Sequence, residues 1–145
     1  MQGDAKSAAL RLVLSKRRTE KEVYAALVEK GFSAEEAEDA ASYYRENGYI
    51  DHEEYARRFS HDALHLKGHG PERIRRDLLL RGVESHIIDD ALKHLTFDIS
   101  EPMEKRFGSG AKTEKEYAQI YNYFLRKGYN PGDIKNAMDA LYTYA

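Results

Sequence analysis

Three glycines at similar intervals, Gly31, Gly82 and Gly128, give this chain an internal repeat and constrain its fold more than any other feature. Each follows a basic residue, apolar residues recur four and eight positions before it, and alanine recurs nine positions after it. Residues four apart lie on one face of a helix, and glycine after a basic residue is typical of a helix end. The pattern predicts an all-α fold, an elongated array of three tandem three-helix repeats packed on one another. The matched sets are Lys30, Leu27, Val23 and Ala40; Arg81, Leu78, Ile74 and Ala91; and Lys127, Phe124, Ile120 and Ala137.

The helix boundaries follow from local signals. The three repeats are expected to occupy residues 1–50, 51–97 and 98–145. Capping boxes, in which Glu stands three residues after Ser or Thr, predict helices that start after Thr19, Ser33 and Thr113. Pro71 and Pro131 predict two further starts, because proline fits the first helical turn. A link is expected at 96–102, a short helix at 102–107 and flexible chain at 108–110, and the first helix should cover 5–16.

The apolar faces of these helices predict the core. Leu14 in the first helix and Leu66 in the fourth are expected to face it, since each continues the apolar spacing of its helix. The alanines of the third helix would let a neighbouring helix approach closely. Tyr121 and Tyr144 are the tyrosines that packing explains least.

Composition excludes several classes of protein. The chain has 145 residues, of which 41% are hydrophobic, and this is enough for a core. No apolar run approaches the roughly 20 residues of a membrane helix, and no export signal is recognisable, so a cytoplasmic protein with no membrane partner is expected. The absence of cysteine removes disulfides, thiolate zinc sites and cysteine nucleophiles.

No pattern of an enzyme is present. The chain lacks GxSxG, HExxH, Walker and dinucleotide-binding sequences. His61 and His65 are one helical turn apart, but glycines at 68 and 70 separate them from His69, and solvated or phosphate-facing histidines are favoured over a metal site. The sequence therefore predicts a protein that is not an enzyme, with no catalytic residue, metal or cofactor.

The most basic stretch of the chain surrounds the predicted helix at Pro71. The formal net charge is −2, yet residues 57–81 hold seven basic and three acidic residues, a local charge of +4. Arginine offers a rigid fork of donors for phosphates or carboxylates. A binding surface and a solvated helix face both remain open on these grounds. The cations concerned are Arg57, Arg58, Lys67, Arg73, Arg75 and Arg76.

Two consecutive motifs carry a resemblance to a known family. GYIDHEEYARRF, from Gly48 to Phe59, is followed by GHGPERIRRDLLLRGV, from Gly68 to Val83. Together they resemble the RecX family of bacterial recombination regulators. With the outer repeats, the similarity extends from about Leu10 to Leu141, and the third repeat matches most loosely.

The resemblance implies that the protein, like members of the RecX family, modulates and usually inhibits the RecA recombinase. Such proteins lie in the groove of the RecA filament on single-stranded DNA, where they impede ATP hydrolysis and strand exchange. The six cations above are the candidate contacts, and Lys16, Arg17 and Arg18 are candidates for a second contact. The alternative is a general DNA- or RNA-binding helical protein that acts without RecA. A monomer is the simplest interpretation in either case.

Overall fold

The computed structural model describes residues 4–144 and is built almost entirely from helices, as the repeat predicts. The helices are α1 (Ala5–Ser15), α2 (Glu20–Glu29), α3 (Ala34–Glu46), α4 (His52–Lys67), α5 (Pro71–Leu80), α6 (Ser85–Lys93), α7 (Ser100–Phe107), α8 (Glu114–Lys127) and α9 (Pro131–Leu141). Two three-residue strands, β1 (Gly110–Lys112) and β2 (Tyr142–Tyr144), pair in parallel with Gly110 opposite Tyr142. The chain is therefore an all-α repeat array.

The predicted start and stop signals are confirmed. Thr19, Ser33 and Thr113 each form a complete capping box, and Pro131 occupies the first turn of α9. The three aligned glycines all have positive φ angles, between 88° and 103°. Glycine adopts this left-handed backbone without the steric cost that a Cβ would bring, so it ends these helices.

The chain divides into two compact units. The first consists of the chain up to Phe59 together with Asp77–Ala91, and the second of Ser60–Arg76 together with the chain from Leu92. Helices α4, α5 and α6 each contribute to both.

The core of the first unit lies among α1, α2 and α3. Val23 and Leu27 of α2 are fully buried, against Ala37, Ala40 and Ala41 of α3. These small side chains let α2 and α3 pack closely, as predicted. Tyr44 closes the cluster, and its hydroxyl donates a hydrogen bond to the Lys6 carbonyl at 2.8 Å.

The core of the second unit is richer in large side chains. Met103, Ile120, Phe124, Ile134 and Met138 are buried in one cluster. At the edge of this unit β1 and β2 pair, and the rings of Tyr117 and Tyr144 stack with centroids 5.2 Å apart. Tyr144 nevertheless remains 72% exposed, so packing explains it poorly, as expected, whereas Tyr121 packs against the same cluster.

Several expectations were wrong. Leu14 and Leu66 are 68% and 78% exposed. Each lies near the end of its helix, where the apolar pattern continues although no other helix covers that face. The region 108–110 was expected to be flexible, but Gly110 begins β1. Helix α7 starts at Ser100, inside the expected link. The strands were missed because three-residue pairing leaves no periodic signal.

Candidate partner-binding surface

The basic helix α5 begins on the end of another helix of the second unit. The first N–H groups of a helix have no partner within the helix. Here Gly70 N–H donates to the Lys127 carbonyl at 2.7 Å, and Glu72 N–H donates to the Gly128 carbonyl at 2.9 Å. The N-terminus of α5 therefore uses the unpaired carbonyls at the C-terminus of α8, and the opposite partial charges of the two helix ends attract.

Close backbone contact explains two glycines at this joint, the contact between the start of α5 and the end of α8. A Cβ on Gly70 would lie 2.7 Å from the carbonyl carbon and oxygen of Gly128, and a Cβ on Gly128 would lie 2.7 Å from the Arg73 nitrogen. Contacts this short are repulsive, so neither position has room for a side chain. The Gly-Pro start of α5 and the glycine that ends α8 are two sides of one contact.

The first unit contains a similar joint. Helix α2 begins against the C-terminus of α5: the Thr19 hydroxyl donates to the Arg81 carbonyl at 2.6 Å, and Lys21 Nζ donates to the Leu80 carbonyl at 3.0 Å. A Cβ on Gly82 would lie 2.7 Å from Lys21 Cβ. Each unit therefore contains a helix that starts on the C-terminal end of another helix: α2 starts on the end of α5 in the first unit, and α5 starts on the end of α8 in the second.

The arginines of α5 differ in their surroundings. Ile74 and Leu78 are completely buried, as predicted, and fix the face by which α5 packs. Arg76 is exposed, whereas Arg73 and Arg75 are partly buried. Arg73 donates to the Arg126 carbonyl at 3.4 Å and its stem lies against Gly128. Arg73 is therefore also part of the scaffold, which its place in the sequence did not indicate.

The cations of α4 lie on its exposed side. Arg57, Arg58 and Lys67 are all exposed, and Lys67 is the last residue of the helix. Arg58 Nε donates to Glu54 Oε1 at 2.9 Å, one turn earlier. An exposed pair of this kind contributes little to stability, so Arg58 remains accessible to a partner.

The cations after α1 separate into two kinds. Lys16 and Arg17 are exposed in the extended segment between α1 and α2. Arg18 instead folds back, with Nε donating to the Leu12 carbonyl at 3.0 Å and a guanidinium nitrogen lying 3.4 Å from Ser15 Oγ. Arg18 thus caps the C-terminus of α1. Lys16 to Arg18, Arg57 and Arg58 belong to the first unit, and Lys67, Arg73, Arg75 and Arg76 to the second.

A buried histidine in the first unit was missed by the sequence analysis. His52 is 1% exposed, and its Nε2 accepts the Glu20 N–H at 3.0 Å. The ring proton must then lie on Nδ1, which donates to Glu84 at 2.8 Å. Arg45 joins the network with nitrogens 2.9 Å from Glu20 and 2.7 Å from Glu84. The four residues are far apart in sequence, so no spacing could have indicated their contact.

The network changes the acidity of Glu84. Burial acts to raise the pKa of this carboxyl, but the hydrogen bonds from Arg45 and His52 and the positive charge of Arg45 outweigh it and hold the pKa below its usual value. Glu84 is therefore an ionised acceptor that joins α3, α4 and the start of α6. Its role is structural.

Residues 4–144 meet neither the requirements of a metal site nor those of a membrane-spanning helix. No group of three or more His, Cys, Asp or Glu side chains in this range is arranged to hold a metal ion. His61 and His65 are exposed, with ring centroids 4.3 Å apart. In the same range no helix is both long and apolar enough to span a membrane.

Comparison with known proteins agrees with this architecture. The family profile described as RecX, first three-helix domain, matches residues 5–43, and that of RecX, second three-helix domain, matches residues 51–92. The crystal structure of RecX from Lactobacillus salivarius superimposes with a TM-score of 0.75 at 20% identity, covering 94% of each chain. A second structure, of regulatory protein RecX, gives a TM-score of 0.77 at 21% identity over 94% of this chain and 70% of the other.

Curated relatives match along most of their length. The regulatory protein RecX of Vibrio campbellii is 33% identical over 140 residues, covering 92% of this chain and 89% of the relative. That of Vibrio vulnificus is 30% identical over 139 residues, covering 92% and 90%. Tandem three-helix repeats define a helical-repeat protein, and the matched relatives are regulatory proteins. The chain belongs to the RecX family.

Proposed function

We propose that this protein regulates the RecA recombinase, as an inhibitor, by binding in the groove of the RecA filament on single-stranded DNA. The relatives that match nearly the whole chain are named regulatory proteins. The observation that carries the proposal is the set of exposed cations on packed helices, Arg57, Arg58, Lys67 and Arg76, with the partly buried Arg73 and Arg75.

These cations fit a surface made of protein and phosphate. Guanidinium groups bind carboxylates and phosphates through paired donors, and rim charges of this kind raise the rate of association. Lys16 and Arg17, with Arg18 behind them, supply a second contact in this proposal. The protein acts by occupying the groove and thereby slowing ATP hydrolysis and strand exchange, without any catalytic step of its own.

The experiment is the DNA-dependent ATP hydrolysis of RecA, measured while this protein is titrated below the amount needed to coat the DNA. We expect the rate to fall at these substoichiometric levels. A rate of ATP hydrolysis that stays unchanged at every concentration of this protein would contradict the proposal. A rise in the rate would retain RecA as the partner but overturn inhibition.

The second candidate function is general binding of DNA or RNA without RecA. A cavity in the second unit lined by Lys67, Lys105, Arg106 and Lys127 favours it, because nucleic acid alone would satisfy that charge. Mobility-shift assays at several salt concentrations, with and without RecA, separate the two functions. General binding gives a steep salt dependence without RecA, whereas a RecA regulator binds the filament much more tightly than bare DNA.

A further inference from the structure

A cavity of about 470 Å³ opens in the second unit beside the end of α4. Leu64, Pro102, Phe124 and Tyr129 form its apolar wall. A volume of this size is within the range of ligand sites in proteins, which run from roughly 300 to 1,000 Å³. The cavity is therefore large enough to hold one nucleotide.

Four cations surround this cavity: Lys67, Lys105, Arg106 and Lys127. Within residues 4–144 none of the four forms a salt bridge with a carboxylate. Lys127 Nζ donates to the Lys67 carbonyl at 3.1 Å, and this bond holds its charge at the rim. Positive charges collected from α4, α7 and α8, none of them in a salt bridge within the described part of the chain, attract an anion.

The lining contains one carboxylate among the described residues, Asp98, and it is already engaged. Its Oδ1 accepts the Ser100 N–H at 3.0 Å, at the start of α7. Burial, and then the negative charge of Asp98, raise the pKa of Tyr129. The Tyr129 hydroxyl thus stays protonated and can donate a hydrogen bond to a ligand.

Aromatic and guanidinium groups add a recognition surface for a flat ring. Tyr123 lies against the Arg106 guanidinium, 4.5 Å from its ring centroid, and makes an edge contact with Phe124 at 5.0 Å between centroids. Phe124 in turn contacts Tyr129 edge-on at 6.1 Å. Bases stack on aromatic side chains and on arginine planes, while the phosphates bind surrounding cations.

We propose that this cavity binds one nucleotide unit of single-stranded nucleic acid. The base lies against Tyr123 and the accessible apolar lining of Leu64 and Pro102, and the flanking phosphates bind the four rim cations. An acidic peptide would satisfy the cations but would leave the aromatic wall without a matching ring. The site goes beyond the proposed action on RecA, because it requires nucleic acid and no other protein.

The first test measures binding of a fluorescent oligothymidylate by anisotropy at several salt concentrations. The variant pair Lys105→Ala with Arg106→Ala removes two exposed rim charges, neither of which belongs to the cations assigned to RecA. The control pair Lys115→Ala with Lys135→Ala removes two exposed charges from the same unit away from the cavity. Because all four side chains are exposed, both variants should keep the wild-type melting temperature.

We expect the rim pair to bind at least about tenfold more weakly than the control pair at physiological salt. Its plot of log affinity against log salt should be shallower by about 1.4, since each lost phosphate contact on a single strand removes about 0.7. Equal losses in the two pairs would overturn the proposal, because they would indicate only a general charge effect.

A second measurement tests the base. The wild-type protein should bind oligothymidylate about fivefold or more tightly than an abasic strand of the same length, as stacking of one base predicts. Tyr123→Leu keeps an apolar side chain but removes the ring, and it should reduce this preference. Equal binding of both strands by the wild-type protein would overturn the base pocket.

RecA assays with the same variants keep the two proposals distinct. A rim pair that loses oligonucleotide binding but still slows RecA supports the nucleotide site. A rim pair that binds the oligonucleotide like the control but no longer slows RecA overturns it and assigns the cavity to a protein partner.

Discussion

At the scale of single residues, the joints between helices depend on glycines that leave no space for a side chain. Gly70 meets the Gly128 carbonyl, and Gly128 meets the Arg73 backbone. Such positions differ from glycines that merely end a helix, because the constraint comes from another part of the chain. Substitution at these positions should separate steric fit from helix propensity.

Gly70→Ala is expected to destabilise the protein by about 1–3 kcal/mol, the usual cost of forcing a methyl group into a filled site. Gly132→Ala is the matched control: Gly132 lies in the first turn of α9, and its nearest neighbour to an added Cβ is Asn130 Oδ1 at 3.4 Å. It should be neutral or stabilising, since alanine favours a helix. Urea unfolding of both variants provides the measurement, and equal stabilities would contradict the steric explanation.

Glu84 should make stability depend on pH. Its pKa is below the usual value of 4.5 in the folded protein, against the opposing effect of burial, because Arg45 and His52 bind the ionised form. A carboxyl whose pKa is lowered by folding stabilises the protein when the pH is above the pKa that the carboxyl has in the unfolded chain. This stabilisation is lost as the pH falls through the pKa that the carboxyl has in the folded protein.

Glu84→Gln should therefore cost about 1–2 kcal/mol at neutral pH, and the difference from wild type should shrink as the pH falls below about 4.5. Unfolding free energies measured between neutral and acidic pH give the comparison. Glu116→Gln is the control for a carboxyl outside the network. Glu116 lies in an exposed capping box, and the Thr113 backbone N–H is the main cause that lowers the pKa of its carboxyl. A difference for Glu84→Gln that stays constant with pH would exclude the ionised network as its cause.

At the scale of elements, the start of a helix has two functions in this protein. Thr19 and Thr113 form the same capping box, but Thr19 is completely buried and also donates to the Arg81 carbonyl of the neighbouring helix. The capping box belongs to the helix itself, whereas the second bond belongs to the joint. A comparison of the two threonines isolates the joint.

Thr113→Val should cost about 1 kcal/mol, the usual loss for a helix cap. Thr19→Val should cost about 1 kcal/mol more, because it also leaves the partly buried Arg81 carbonyl without its donor. Thermal unfolding followed by circular dichroism measures both. If the two variants melt at the same temperature, the bond across the joint contributes nothing.

At the scale of the whole molecule, the exposed cations are the basis of the proposed regulation. They occur in both compact units, and each unit can be probed without disturbing its core. Lys16 and Arg17 are exposed, but Arg18 caps α1, so neighbouring charges of the same segment have different functions.

The pair Lys16→Ala with Arg17→Ala should weaken inhibition of RecA while changing stability by less than about 0.5 kcal/mol, as surface substitutions usually do. Arg18→Ala should instead cost about 1 kcal/mol, because the Leu12 carbonyl loses its donor. Inhibition titrations and urea unfolding measure the two effects. If the exposed pair inhibits RecA as well as wild type does, the proposed second contact is wrong.

Local signals in the sequence were enough to predict most helices and the repeat. Capping boxes, proline starts and terminal glycines are local signals, and apolar spacing is a property of a single helix, so α2, α5 and α8 could be predicted together with their buried residues Leu27, Leu78 and Phe124. The same local character explains the errors at Leu14 and Leu66, whose spacing is helical although no neighbour covers them.

Which distant residues come into contact depends on how the helices pack, and the sequence did not indicate it. The contacts of Gly70 with Gly128, of Thr19 with Arg81 and of His52 with Glu84 join residues between 32 and 62 positions apart. The cavity collects its four cations in the same way, from three different helices. Such sites arise because packing brings distant side chains together, and helical periodicity records only which face is buried, not what covers it.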